Sequence, residues 1–140
     1  MRPIRVGLLG LGTVGQSVAR ALLERKDLLA RASFAPLVLQ RACVRDLSRS
    51  RPIGTDQLTS DPMSVVKADD VDVVVELIGG EEPARTLIEA ALSLGKPVIT
   101  ANKRVVSWHG PKLLALAAQK GAELRYEAAV GGGIPIIAPL

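Results

Sequence analysis

Three glycines near the start of the chain have the spacing of a phosphate cradle. In Val6-Gly7-Leu8-Leu9-Gly10-Leu11-Gly12-Thr13-Val14-Gly15 an apolar run of strand length gives way to Gly-x-Gly-x-x-Gly, and helix-forming residues follow at once. That order spells a strand, a tight turn and a helix N-terminus. Gly10 permits the turn, Gly12 lets the backbone approach phosphate oxygens, and Gly15 lets the helix pack closely on the strand. A pyrophosphate seated there receives free backbone N–H groups and the positive end of the helix dipole. The competing reading is a plain structural turn, since glycine triplets also occur where nothing binds.

A second group of residues bears on which dinucleotide would bind. Past the second predicted strand come Arg45 and Asp46, with Arg49 and Arg51 close by. At this place an acid hydrogen-bonds the ribose 2′-hydroxyl of NAD, whereas an arginine accommodates the 2′-phosphate of NADP. Arg45 can pair with a phosphate through two parallel N–H···O bonds, which favours NADP with NAD tolerated. Asp46 opposes that pairing or points into solvent. The run from Arg41 to Arg51 holds four arginines against one acid, so most of the net charge of +4 sits in one short segment. A local phosphate site explains such a concentration better than a nucleic-acid surface, which spreads its charge over a face. A solvated basic loop is the alternative.

These residues need a scaffold, and the pattern supplies one. Ile4–Leu9 reads as a first strand and residues 13 to about 30 as a first helix, with Val14, Val18 and Leu22 on one face. Residues 36–44 read as a second strand, 48–62 as a surface connection and 63–67 as a short helical turn. The third strand, 71–78, is mostly β-branched and ends at Gly79-Gly80. Pro83 suits the first turn of a helix with Leu87, Ile88, Ala91 and Leu92 on one face, closed by Gly95. A short fourth strand, 97–100, precedes Ala101-Asn102-Lys103. A helix from Pro111 to Lys120 and a fifth strand, 123–127, complete the alternation. Strands alternating with helices mean an α/β fold: a Rossmann-like, doubly wound parallel sheet in three αβα layers.

Composition agrees. The 140 residues are enough for one domain with a proper core. They are 48% hydrophobic but only 2% aromatic, which suits aliphatic strands buried on both faces and disfavours base-stacking nucleic-acid platforms. No run has the length of a membrane span. The single cysteine, Cys43, has no internal disulfide partner and reads as a small core residue, so a reducing cytoplasm is the expected setting. His109 reads as a turn residue at a helix entrance, and Glu81 and Glu82 suit a helix dipole. Glu76 caps, pairs or contacts ligand, and its position alone does not choose among these. The closing Gly131-Gly132-Gly133-Ile134-Pro135-Ile136-Ile137 predicts entry into a further element, so the chain reads as a cofactor domain of a longer enzyme.

Three stretches together resemble the homoserine dehydrogenases. They are Ile4 to Gly15; Glu76-Leu77-Ile78-Gly79-Gly80 paired with Val98-Ile99-Thr100-Ala101-Asn102-Lys103; and Tyr126-Glu127-Ala128-Ala129-Val130-Gly131-Gly132-Gly133-Ile134-Pro135-Ile136. The first is common to many dehydrogenases, while the other two are far more specific, and the resemblance runs the length of the chain. It implies the nucleotide domain of an oxidoreductase interconverting L-homoserine and L-aspartate 4-semialdehyde, on the route to threonine, methionine and isoleucine. It further implies a substrate and dimerisation domain after residue 140 and a homo-oligomeric whole enzyme, with the present chain binding coenzyme but not turning over alone. By resemblance the coenzyme lies on Gly10, Leu11, Gly12, Thr13, Val14 and Gly15, on Arg45, near Gly79 and Thr100, and against Lys103. Lys103 is the expected catalytic residue, because an ammonium beside the nicotinamide can stabilise the substrate oxygen or assist proton transfer as hydride arrives. An exposed lysine ending a strand is the bland alternative. The resemblance also implies a monovalent cation, sodium or potassium, at Glu127, Val130, Gly132 and Ile134, where a glycine-rich loop can turn carbonyl oxygens inward. From the residues alone the glycine triplet reads as a hinge. The rival functions are another semialdehyde, amino-acid or sugar dehydrogenase, and a non-catalytic NAD(P) sensor.

Overall fold

The computed structural model describes residues 1–51 and 53–130. Among the described residues six parallel strands form one sheet: β1 (Ile4–Leu9), β2 (Leu37–Cys43), β3 (Leu58–Thr59), β4 (Val73–Glu76), β5 (Val98–Thr100) and β6 (Leu124–Arg125), in the order β3-β2-β1-β4-β5-β6. Among the same residues five α-helices cover it: α1 (Thr13–Glu24), α2 (Lys26–Ser33), α3 (Pro62–Lys67), α4 (Ala84–Ser93) and α5 (Lys103–Lys120). The strand order reverses beside β1, which is the doubly wound arrangement expected from the alternation.

Alternate residues of the central strand serve two cores, as period two requires. Val6 and Leu8 pack with Ala19 and Leu22 of α1. Leu9 packs on the other face, with α3, α4 and α5. Gly7 lies beneath α3 so closely that a Cβ there would sit 2.7 Å from a Val65 methyl.

The structure departs from the expected elements in several places. The first helix breaks at Arg25, which ends α1 and begins α2 with no glycine or proline to mark the bend. Its buried stripe is Gly15, Ala19 and Leu22, while Val14 is exposed. Small residues on the inner face let α1 sit close to the sheet, so size rather than hydrophobicity sets its rotation. The connection 48–62 contains β3, whose two residues are too few to show a period. The strand predicted over 71–78 is hydrogen-bonded as β4 only over its middle, and the one predicted over 123–127 yields β6 and a short 3-10 turn, Glu127–Ala129.

The largest departure is α5. It starts at Lys103 rather than Pro111 and runs through that proline and through His109. Its buried residues Val105, Gly110, Leu113 and Ala117 lie along one core, and this packing outweighs the backbone hydrogen bond that Pro111 cannot donate.

Candidate functional site

The carboxyl ends of the strands are in register. Cys43, Leu9, Glu76 and Thr100 are successive neighbours across β2, β1, β4 and β5. Every chemically interesting segment leaves the sheet just past this row: Val44-Arg45, Gly10-Leu11-Gly12, Ile78-Gly79-Gly80 and Ala101-Asn102-Lys103. The row coincides with the point where strand order reverses, the place where doubly wound sheets take ligands.

The three motif glycines differ in what surrounds them. Gly10 has φ +98°, and a Cβ there would press on the Leu77 carbonyl. A Cβ on Gly15 would collide with the carbonyl oxygen of Gly10, so helix and turn touch through that residue. At Gly12 nothing lies within 4 Å of the missing Cβ. The protein itself therefore does not require glycine at 12, and the open space above it is available to a ligand. Gly12 caps α1 without a side-chain hydrogen bond. The first-turn N–H groups of Thr13, Val14 and Gly15 consequently lack a side-chain acceptor, which is the ordinary state of an anion-binding helix end.

Over this turn runs an open cleft of about 400 Å³, floored by Gly10, Leu11 and Gly12 and walled by Val44, Arg45 and Ile78. Cys43 also lines it, with its thiol pushed up to about 11 by burial and by the charge of Asp61. Such a thiol is an inert wall.

The arginine cluster divides. Arg41 stands outside the cleft and is paired with Asp70, Nε to Oδ1 at 2.7 Å. It is therefore no part of a phosphate site, contrary to the reading of the whole 41–51 charge as one feature. Arg45, Arg49 and Arg51 do line the cleft. Arg51 donates to the main-chain oxygens of Asp46 and Arg49 and so braces its own loop. Asp46 accepts from the backbone N–H and hydroxyl of Ser48, at 2.9 and 2.6 Å. Those bonds, backed by Arg51 and Arg49, hold its carboxyl below the usual range. Arg45 enters no ion pair among the described residues.

The Thr100 side chain is fully buried, and its hydroxyl is used inside the fold, donating to Glu76 and accepting from the Asn102 N–H. Lys103 is exposed as the first residue of α5, with Asn102 as the N-cap. Gly79 and Gly80 both have left-handed φ, +79° and +71°. His109, far from a turn, binds Glu81 at 2.8 Å from within α5. Glu82 accepts from the N–H and hydroxyl of Thr86 at the start of α4, in keeping with a helix-start role.

Of the four positions implied for a cation, Glu127 and Val130 lie in one turn, with the Val130 N–H donating to the Glu127 carbonyl at 3.2 Å. The Glu127 carboxylate lies 3.7 Å from the Arg125 guanidinium. Gly132 and Ile134 lie outside the described residues. Among the described residues no group of three or more His, Cys, Asp or Glu could hold a metal, and no helix is long and apolar enough to cross a membrane.

Sequence reasoning left Glu76 without a role and overlooked Asn102. The second had a signal, since Asn before a helical run is an N-cap pattern, but the pattern is visible only if α5 begins at 103.

Sheet order, open helix end and cleft define the class of protein: a doubly wound dinucleotide-binding domain. The family model described as "Homoserine dehydrogenase, NAD binding domain" matches residues 10–127, and the chain belongs to the homoserine dehydrogenase family. Homoserine dehydrogenases of Bacillus subtilis and Corynebacterium glutamicum are 40% and 41% identical over 100% and 98% of the chain. The chain spans about a third of those relatives, 33% and 31% of their lengths. A solved homoserine dehydrogenase from Thiobacillus denitrificans superposes with a TM-score of 0.89 at 44% identity, covering 97% of this chain and 32% of that one. A hyperthermophilic archaeal homoserine dehydrogenase in complex with NADPH shares the fold, with a TM-score of 0.80 at 22% identity over 98% of this chain and 47% of that one.

Proposed function

We propose that this chain is the coenzyme-binding part of an NADP-preferring enzyme that interconverts L-homoserine and L-aspartate 4-semialdehyde. The observation that carries the coenzyme assignment is the cleft over the uncapped start of α1, with Gly12 facing open space and Arg45 at its wall. The pyrophosphate rests on the backbone N–H groups of residues 11 to 15, where the helix dipole favours negative charge. Arg45, with Asp46 drawn off by Ser48, offers its guanidinium to a 2′-phosphate. NADH remains a weaker ligand of the same cleft.

When bound, the coenzyme supplies or accepts the hydride. Lys103 stands just past β5, at the edge where the nicotinamide end of the ligand lies in this reading. Its ammonium stabilises the negative charge that develops on the substrate oxygen, or holds the proton that oxygen takes up. The pocket for the amino acid belongs to sequence beyond this chain's third of its relatives, so the chain binds coenzyme without turning it over. The monovalent cation at Glu127, Val130, Gly132 and Ile134 belongs to the same reading and rests on the family resemblance, since the Glu127 carbonyl and carboxylate face the Val130 N–H and Arg125.

Calorimetric titration of NADPH and NADH into the chain, with Arg45→Ala alongside, tests the assignment. NADPH should bind at least about tenfold more tightly than NADH, since a charge-assisted pair contributes about 1.5–3 kcal/mol. Arg45→Ala should remove that difference and leave NADH affinity unchanged. Equal binding of the two coenzymes by the parent chain would sink the NADP preference. Binding of neither, by this chain and by one extended to its relatives' length, would sink the coenzyme assignment.

A further inference from the structure

Glu76 is fully buried at the end of β4, and its side-chain hydrogen bonds go to the turn after β4 and to the last residue of β5, on either side of the proposed site. Its Oε1 accepts from the N–H of Ile78 at 2.7 Å and of Gly79 at 3.3 Å. Its Oε2 accepts from the Thr100 hydroxyl at 2.6 Å. Thr100 Oγ1 in turn accepts from the Asn102 N–H at 3.0 Å. Asn102 then closes the circuit: its Nδ2 donates to the Gly80 carbonyl at 2.6 Å, while its Oδ1 caps α5 by accepting from Val105 N–H at 3.2 Å. A closed ring of hydrogen bonds therefore joins the turn after β4 to the turn after β5. Lys103 is the next residue along the chain.

A buried carboxylate is a costly way to end a strand. Val74 and Val75, just before it, show that this strand is otherwise filled by apolar side chains. Burial alone would be better served by another of these. The carboxylate instead gives one rigid group with two acceptor atoms, one for each turn, and β4 and β5 are in register so that Glu76 and Thr100 lie side by side. The ring orients the last residue before Lys103 from both its backbone and its side chain.

We propose that Glu76 is a positioning residue for the hydride-transfer step, acting through Thr100 and Asn102 to hold the start of α5 so that Lys103 meets the substrate oxygen. This rests on the reading of Lys103 given above. Glu76 itself touches neither coenzyme nor substrate. It sets where the ammonium stands, and small misplacements of a catalytic group cost about a hundredfold in rate.

The test is steady-state kinetics on the chain carried to the length of its relatives, with NADPH and L-aspartate 4-semialdehyde, for Glu76→Gln, Lys103→Ala and the double variant. Glu76→Gln keeps an oxygen for the Ile78 and Gly79 N–H groups but replaces the acceptor of the Thr100 hydroxyl with an amide donor. The dissociation constant for NADPH should stay within about twofold while kcat falls about 10- to 100-fold. In the Lys103→Ala background the same change should have no further effect, because two groups acting as a unit are not additive. Thr100→Val should reproduce the loss and Thr100→Ser, which restores the hydroxyl, should recover most of it, which keeps the test decisive where Glu76→Gln does not fold. An unchanged kcat in Glu76→Gln or Thr100→Val, or a full additional loss in the double variant, overturns the positioning role. Unchanged kcat in Lys103→Ala alone overturns the role of Lys103 instead, and the two failures are told apart by that single variant.

Discussion

Phe34 is the only non-glycine with positive φ among the described residues, +58° at the end of α2, and it is 83% exposed. This left-handed position after a helix is where glycine or asparagine usually stands, because a Cβ there crowds the carbonyl. The ring gains almost no burial in return. Phe34→Asn should raise stability by about 0.5–1 kcal/mol, since asparagine tolerates the conformation without loosening the unfolded chain as glycine does. For a domain of this size that is a rise in Tm of about 2–4 °C by thermal denaturation, with Phe34→Ala close to the parent. A fall in Tm for the asparagine variant would mean that the ring protects the apolar side of α2. Residues of this kind divide sharply in how legible they are. Gly10 and Gly15 announce their roles through spacing, because the backbone needs them locally. Glu76 announces nothing, since its main partner Thr100 is 24 positions away and becomes a neighbour only through sheet pairing.

At the scale of elements, periodic apolar runs located every strand of β1, β2, β4 and β5 and the whole of α4. Apart from the two-residue β3, which the connection 48–62 concealed, the failures are boundaries set by tertiary packing. Trp108-His109-Gly110-Pro111 looks like a helix entrance, yet α5 has already completed two turns there, started by the Asn102 cap. Pro111 is exposed, so it contributes little packing. Inside a helix it removes a backbone bond to residue 107 and crowds that carbonyl, at a cost of about 3 kcal/mol relative to alanine in an ideal helix. Helices that relax around an internal proline bear less than this ideal-helix figure. Pro111→Ala should therefore stabilise the chain by about 1–2 kcal/mol in urea unfolding, with an unchanged m value. A destabilised variant would show that Pro111 is needed to seat Leu113 and Ala117 in the core. The break at Arg25 had no counterpart in the sequence, since nothing at that position disfavours a continuous helix.

At the scale of the whole molecule, the sheet divides its work between its two edges. The carboxyl edge is left open for ligand, whereas the amino edge is laced by acid–base pairs that tie strands distant in sequence. Asp72, just before β4, accepts from the Arg5 backbone and guanidinium and from Arg2, joining β4 to β1. Asp70 does the same for β2, through Gln40 and Arg41. Part of the arginine content that reads as a phosphate site is thus spent on holding the sheet, a use that depends on strand order and leaves no local pattern. The Arg5 hydrogen bonds, helped by the charges of Arg5 and Arg2, lower the Asp72 carboxyl to about 2, against burial acting the other way. Because the folded value lies below the ordinary 3.8, folding is favoured while Asp72 is ionised. Its stabilisation is complete above about pH 5, shrinks as pH falls through 4 and then through the folded value, and is gone near pH 1. With the carboxylate 29% exposed, solvent screening reduces the contribution to about 1–2 kcal/mol. Urea unfolding of the parent and of Asp72→Asn should therefore differ by about that amount at pH 7, with most of the gap closing between pH 4 and pH 2 and the remainder by about pH 1. Asp70, Asp46 and Glu82 also sit below their usual ranges, but they are common to both proteins and cancel in the comparison. A gap that persists unchanged at pH 2 would mean that the lost contact is the hydrogen-bond geometry around Arg5, which an uncharged side chain at 72 fails to reproduce, and that the charge on Asp72 does not hold the sheet together.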